Sequence, residues 1–98
     1  MSRDEIARKL AEIKEELDKE KVASLHLFGS VARGEDTESS DVDLVVEFEP
    51  GARVSLFTLA RVKILIEDHL GRKVDLVPRD SIHPALKDII LAECQHVA

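Results

Sequence analysis

The 98-residue sequence has no tryptophan, no tyrosine and one cysteine, and each scarcity excludes a class of protein. Its 3 phenylalanines are the only Phe, Trp or Tyr residues, so the core must be aliphatic, and no aromatic platform for stacking nucleobases is available. Cys94 cannot form a disulfide within the chain, which suits a reducing cytoplasm. Apolar residues near Cys94 favour a packing role for it over that of a nucleophile or ligand.

Long apolar runs and basic stretches are also missing. No run approaches the ~20 apolar residues that span a membrane. The charged start, residues 1–5, leads into no apolar region of the kind found in secretory signals. The formal net charge of −6 argues against a long nucleic-acid partner, because phosphate backbones are bound by basic surfaces. We therefore expect a cytoplasmic protein without a membrane or nucleic-acid partner, although one nucleotide carrying its own metal is compatible with the charge.

What is present is a regular alternation of helical and strand patterns, which predicts one α/β (α+β) domain over residues 1–98 with a mixed sheet flanked by helices. The predicted order is a helix at 2–20, strand 22–28, a turn with a brief helix at 29–34, polar loop 35–40, strand 41–48, helix 55–70, strand 73–78 and a last helix from about 81. We expect the two later helices to bury Leu56, Leu59, Val62, Ile66 and Leu70, and Leu86, Ile89, Ile90 and, at the margin, Cys94.

Three aspartates are placed for metal chemistry. Asp41 and Asp43 lie two residues apart on a strand, so both side chains point to one face while Val42 points to the other. At a separation of roughly 7 Å and an effective dielectric of ~20, the two carboxylates repel by about 2 kcal/mol. A hard divalent cation such as Mg²⁺ offsets this repulsion and keeps sites for phosphates. Asp75 repeats the pattern on the third strand; if that strand neighbours the second, the three acids can hold two ions.

Gly29 and Ser30 follow the first strand directly. A glycine there permits close backbone approach, and backbone N–H groups at the following helix start favour an anion. The Ser30 hydroxyl can donate to a phosphate oxygen, and Arg33, one turn on, can meet a triphosphate or pyrophosphate. Each feature alone is common in loops and solvated turns. Their succession in one order, with ten residues between Ser30 and Asp41, is what indicates a nucleotide site.

Two other motifs that bind phosphate or metal do not match this sequence. The chain has no glycine-rich P-loop with its Gly-Lys-Ser/Thr ending. The segment 36–40 hints at a calcium loop, but Asp41 stands where that loop requires glycine. The four histidines, His26, His69, His83 and His96, show no metal-ligand spacing, so we expect structural or surface roles for them.

The string Phe28-Gly29-Ser30-Val31-Ala32-Arg33-Gly34, followed by Ser40-Asp41-Val42-Asp43-Leu44, resembles the signature of the DNA polymerase β-type nucleotidyltransferase superfamily. It is most similar to the minimal nucleotidyltransferase branch, which includes MntA-like antitoxins paired with HEPN-domain toxins. This resemblance implies the palm-like nucleotidyltransferase fold.

By this resemblance, Asp41, Asp43 and Asp75 would hold two Mg²⁺ ions and act in catalysis, and Asp75 would help to deprotonate the acceptor hydroxyl. Gly29 and Ser30 would bind the β- and γ-phosphates of ATP; Arg33 matches a frequent nucleotide-binding position. The acceptor would dock from outside, since larger relatives carry an additional acceptor-binding domain that a chain of this length lacks. Branch members place AMP on a tyrosine of the partner toxin, which in this tyrosine-free chain could occur only in trans.

Three functions therefore stay open. The first is a protein adenylyltransferase antitoxin that acts on a HEPN-type toxin. The second is a non-catalytic antitoxin that neutralises its toxin by binding alone, for which facing carboxylates have no evident use. The third is a small-molecule nucleotidyltransferase of the aminoglycoside type.

Overall fold

The computed structural model describes residues 2–34 and 41–98, and the predicted polar loop at 35–40 lies outside this part of the chain. Its helices are α1 (Arg3–Glu12), α2 (Lys14–Lys19), α3 (Gly29–Ala32), α4 (Leu56–Leu70) and α5 (Pro84–Glu93). A short 3₁₀ turn covers Arg79–Ser81. The strands are β1 (Val22–Phe28), β2 (Val42–Phe48), β3 (Val74–Pro78) and β4 (Gln95–His96). No helix in the described ranges is long and apolar enough to cross a membrane.

The strands form one mixed sheet in the order β3-β2-β1-β4. β1 pairs antiparallel with both β2 and β4, whereas β2 and β3 are parallel. The parallel pair needs a crossover connection, and α4 supplies it between β2 and β3. The predicted mixed sheet with flanking helices is therefore confirmed.

One face of the sheet carries the aliphatic core. Alternate strand residues point to this face and pack against α1, α2 and α4, as the period of two requires. Leu25, Leu27, Val42 and Leu44 are among the residues with no exposed surface. The predicted aliphatic core is therefore confirmed.

The first predicted helix is interrupted at Ile13. The N–H of Ile13 donates to the carbonyl of Leu10, three residues back, at 3.1 Å. This tightened turn separates α1 from α2 and leaves Ile13 and Leu17 buried, so the core-facing pattern continues across the break. The prediction of a continuous helix to residue 20 was wrong at this one position.

Helix caps were predicted with mixed success. Ser55 caps α4 by accepting the N–H of Thr58, and Gly71 ends that helix, as expected. In α5, Pro84 occupies the first turn, but the cap is the ring of His83, which accepts the N–H of Ala85 at 3.1 Å. Ser81 belongs instead to the preceding 3₁₀ turn.

The predicted apolar faces of the later helices were wrong in part. Val62, Ile66 and Leu70 are buried, but Leu56 is 84% exposed at the start of α4. In α5 no residue is buried; Leu86 and Ile89 are largely exposed, and Cys94 after it is half-buried. Helical periodicity identifies an apolar stripe but not whether the stripe reaches another element.

The C-terminal strand β4 was missed because two residues carry no readable alternation. It adds a fourth strand to the sheet at the edge of β1. Two backbone hydrogen bonds hold the residues after β4 against β1. The N–H of Leu25 donates to the carbonyl of Ala98, and the carbonyl of Leu25 accepts the N–H of Val97, each at 3.0 Å.

Candidate active site

Asp43 and Asp75 are direct neighbours on adjacent parallel strands. The pairing of β2 with β3 sets Asp43 opposite Asp75 and, one residue earlier, Val42 opposite Val74. Both valines are buried in the core, so the two aspartates point to the other face of the sheet. The second and third strands are therefore neighbours, which the sequence alone could not establish. Asp41 lies one residue before β2, with an exposed side chain.

The start of β3 is fixed by the helix that precedes it. The N–H of Val74 donates to the carboxylate of Glu67 at 2.9 Å, and the N–H of Val42 donates to the carbonyl of Lys73 at 2.9 Å. A charged acceptor makes the first of these a strong hydrogen bond. These bonds hold the register that brings Asp75 beside Asp43.

At Gly29 the backbone passes close to the carboxylate of Asp43. Gly29 has φ +76°, in the left-handed region that glycine adopts without steric cost. A Cβ added at Gly29 would collide with the Asp43 carboxylate and lie 3.1 Å from its Cγ. Because β1 and β2 pair with Phe28 opposite Asp43, the turn that follows Phe28 passes directly over this carboxylate. A glycine is therefore needed here for both reasons.

The pKa of Asp43 reflects its burial and the charges around it. Burial raises the pKa of Asp43, and the neighbouring charges of Asp75 and Asp41 raise it further. The Arg33 guanidinium acts in the opposite direction and lowers this pKa. Three carboxylates and one cation are thus within electrostatic reach of one another on this face.

The donor set fits a hard divalent cation, because all three predicted ligands are carboxylates and a half-buried carboxylate with a raised pKa gains from a nearby positive charge. Within residues 2–34 and 41–98, however, no three Asp, Glu, His or Cys side chains are already grouped to hold a metal ion. Binding by Asp41, Asp43 and Asp75 together would require their side chains to rotate toward a common point.

The residues predicted to contact phosphate lie in and after α3. Ser30 lies in α3, and the predicted contact of its hydroxyl lies outside the described part of the chain. Arg33 follows α3, and its N–H donates to the carbonyl of Gly29 at 3.2 Å. Its guanidinium forms an ion pair with Glu93 at 3.4 Å. Arg33 is also within electrostatic reach of Asp43.

Two neighbours of this region were missed by sequence reasoning. Glu93 reaches Arg33, and the side-chain amide of Gln95 donates to the carbonyl of Ala32 at 3.2 Å. Both come from the end of the chain, at separations of 60 and 63 residues from the groups they contact. No local sequence signal marks such contacts.

Further along the same face, the rings of His26 and His96 are in tilted contact, with their centroids 5.3 Å apart, and the Oγ of Ser24 lies 3.1 Å from the His26 ring nitrogen. Burial lowers the pKa of His26, with a further lowering from His96. These contacts fit the structural or surface role expected for the two histidines.

A concave surface lies at the opposite end of the same two strands. A groove of about 620 Å³ is found where β2 and β3 end, at Phe48 and Pro78, whereas the aspartates stand where both strands begin. Its walls include Leu56 and Leu59, and its rim includes Arg79, which donates to Glu47 at 2.8 Å. The carboxylate site is marked instead by its charge and by the close approach of the Gly29 backbone.

Comparison with known proteins agrees with this geometry. The family model described as "Nucleotidyltransferase domain" matches residues 7–97. A Methanocaldococcus jannaschii protein named as a candidate protein adenylyltransferase, MJ0435, is 45% identical over 97 residues, which cover 99% of each chain. The protein adenylyltransferase MntA of Thermococcus cleftensis is 37% identical over 76 residues, covering 78% of this chain and 75% of its own.

Solved structures show the same fold. A candidate minimal nucleotidyltransferase superposes with a TM-score of 0.78 at 36% identity, covering 97% of this chain and 95% of its own. A chain from a toxin–antitoxin complex with AMP-PNP gives 0.75 at 20% identity, covering 94% and 72%. A chain from tri-AMPylated Shewanella oneidensis HEPN toxin bound to its MNT antitoxin gives 0.66 at 18%, covering 95% and 71%. At such low identity the last two show the fold alone. The chain therefore belongs to the nucleotidyltransferase domain family, in the minimal branch to which MntA also belongs.

Proposed function

We propose that this nucleotidyltransferase is an antitoxin that transfers AMP from ATP to a hydroxyl of a partner HEPN-type toxin. The observation that carries the proposal is the pairing of Asp43 with Asp75 beneath the backbone of Gly29. This arrangement sets carboxylates for a metal next to a turn that can approach a phosphate closely. The names of relatives that are up to 46% identical to this chain over the aligned residues support protein as the acceptor class.

In the proposed reaction, an oxygen of the acceptor hydroxyl bonds to the α-phosphorus of ATP while the bond from that phosphorus to the bridging oxygen breaks. Pyrophosphate leaves with the bond's electron pair, and the hydroxyl proton passes to a base, for which exposed Asp75 is our candidate. Bound Mg²⁺, held by Asp41, Asp43 and Asp75, would neutralise phosphate charge and favour the ionised hydroxyl. Gly29 and Ser30 would hold the β- and γ-phosphates, with Arg33 near the leaving group.

The partner supplies the accepting residue. This chain contains no tyrosine, so a tyrosine acceptor would have to belong to another protein. One solved complex with this fold contains a tri-AMPylated HEPN toxin bound to an MNT antitoxin, which supports a toxin as the acceptor. ATP as the donor is supported by AMP-PNP in another toxin–antitoxin structure.

Calorimetric titration with AMP-PNP, with and without Mg²⁺, tests the nucleotide site. We expect Mg²⁺-dependent binding that falls by about 100-fold or more in the Asp41→Asn, Asp43→Asn double variant, since loss of even an outer-shell partner costs roughly 10- to 100-fold in metal affinity. The Glu47→Gln variant, on β2 at the far end of the sheet, serves as the control. Equal affinity in the double variant would refute the site.

Incubation with ATP, Mg²⁺ and the toxin encoded next to this gene tests the transfer. Intact-mass measurement should show adenylate added to the toxin by the unaltered chain and none by the double variant. The double variant should also lose protection against the toxin while it keeps its fold. A variant that still protects would favour the binding-only antitoxin, and adenylate found only on small molecules would favour the third function.

A further inference from the structure

The nucleotide-binding turn is tied to the C-terminal segment by a side-chain contact. The amide of Gln95 donates to the carbonyl of Ala32, the last residue of α3, at 3.2 Å in a partly buried position. The final carbonyls of a helix have no partner within the helix. Gln95 therefore satisfies a group that would otherwise need water.

The turn depends on such a tie because α3 is very short. With only four residues it lies far below the length at which helical hydrogen bonds hold a segment by themselves. Its entry is defined by Gly29 above Asp43, and at its exit Ala32 packs partly against the core.

Gln95 is itself held firmly. It pairs with Leu27 in the sheet, and Leu27 belongs to the strand that leads into Gly29. Buried Val97 anchors the same segment two residues later. Gln95 thus links the end of α3 to β1, the strand from which α3 starts. The turn is therefore held at both of its ends.

A second contact lies beside the first. Glu93, two residues before Gln95, pairs with the guanidinium of Arg33 at 3.4 Å, and both side chains are about half exposed. Arg33 directly follows the carbonyl that Gln95 binds. The two contacts therefore fix consecutive residues next to the carboxylates.

We propose that Gln95 and Glu93 are positioning residues, which set the turn from Gly29 to Arg33 at the distance from the aspartates that a triphosphate requires. This inference rests on the proposed function. Neither side chain need touch the nucleotide; each acts through Ala32 or Arg33. The pairing of β4 with β1 therefore serves the nucleotide site as well as the sheet.

The test compares the dissociation constants of Mg²⁺·AMP-PNP and of Mn²⁺ alone for the full chain and its variants. Gln95→Met removes the donor but keeps the side-chain length and adds no charge. We expect it to raise the AMP-PNP constant about fivefold, the ratio that corresponds to one ordinary hydrogen bond. The Mn²⁺ constant should not change, because the aspartates are not moved. Glu93→Gln should raise the AMP-PNP constant about twofold, as suits an exposed ion pair.

Two controls separate positioning from general stability. Ile66→Ala opens the core at α4, outside the C-terminal segment, and Glu20→Gln removes one charge of the ion pair between Glu20 and Arg61, whose atoms lie 3.1 Å apart. Both should leave the AMP-PNP constant unchanged, although Ile66→Ala lowers the melting temperature. An unchanged constant in Gln95→Met, or an equal rise in Ile66→Ala, would overturn the positioning role. Failure of the unaltered chain to bind AMP-PNP would instead overturn the proposed function, and this inference with it.

Discussion

Strands β2 and β3 run side by side, and their two ends differ in charge and in shape. Where they begin, Asp43 and Asp75 face each other under the Gly29 turn. Where they end, Phe48 and Pro78 line an open groove whose rim carries an ion pair between Arg79 and Glu47. At the first end, burial and then the charges of Asp75 and Asp41 raise the pKa of Asp43, whereas at the second end Glu47 is paired with Arg79.

By the proposed function, the chemistry lies at the aspartate end of the strands and not in the groove. Metal and phosphate need oxygen ligands and close backbone approach, and the Gly29 turn over the Asp43 carboxylate supplies both. The groove is also lined by charged residues, Glu47, Glu49 and Asp80 among them, but a Cβ at Gly51 in its wall would meet nothing within 4 Å. The two ends should therefore respond differently to matched substitutions.

The largest difference should come from glycine substitutions. Gly29 and Gly51 both have positive φ, +76° and +79°, but only at Gly29 would a Cβ meet another residue. We expect Gly29→Ala to lower the free energy of unfolding by about 2 kcal/mol or more, from backbone strain together with the collision with Asp43. Mg²⁺·AMP-PNP binding should weaken by more than about tenfold.

Gly51→Ala is the matched control at the groove end. It should cost only the backbone strain, about 1 kcal/mol, and leave AMP-PNP binding unchanged. Urea unfolding and calorimetry measure both quantities. Equal loss of binding in the two variants would show that the contact between Gly29 and Asp43 has no role in the site.

A smaller effect should follow from removing the charge of Asp43. Because its pKa is raised in the folded state, Asp43 contributes stability below the ordinary carboxyl pKa, and this stability is lost as pH rises through the raised value. Asp43→Asn without metal should therefore raise the melting temperature at pH 7. The corresponding gain in the free energy of unfolding should stay below about 1 kcal/mol, since water screens partly exposed charges.

The same variant should also flatten the dependence of stability on pH between 4 and 7, measured by thermal melts across this range (about the ordinary carboxyl pKa and above). Glu47→Gln is the control, because it removes a carboxylate paired with Arg79 on the same strand. A clear drop in the melting temperature of Asp43→Asn would contradict the repulsion among the three aspartates.

The smallest effect is expected at the groove wall. Leu56 is 84% exposed, so Leu56→Ala should change the free energy of unfolding by no more than about 0.5 kcal/mol. Ile66 in the same helix is fully buried, and Ile66→Ala should cost roughly 2–5 kcal/mol. Chemical unfolding of both variants measures this contrast. A large loss in Leu56→Ala would mean that the groove is closed in solution.

The sequence by itself determined the local structure and the chemical character of the site. Short apolar segments bounded by turn residues located β1, β2 and β3, and the cap at Ser55 with Gly71 located α4, because these signals depend only on residues near one another in the chain. The order of Gly29, Asp41, Asp43 and Asp75 indicated a nucleotidyltransferase, and the family match agrees.

The tertiary structure alone decided which of these residues meet. The parallel register sets Asp43 beside Asp75, and pairing of β4 brings Gln95 to Ala32 across 63 positions. Packing also decided that Leu56 stays exposed although it lies on the same side of α4 as buried Leu70. The physical reason is common to all three: pairing and burial depend on which distant surfaces come together, and hydrophobic period reports only the face that a residue occupies on its own element.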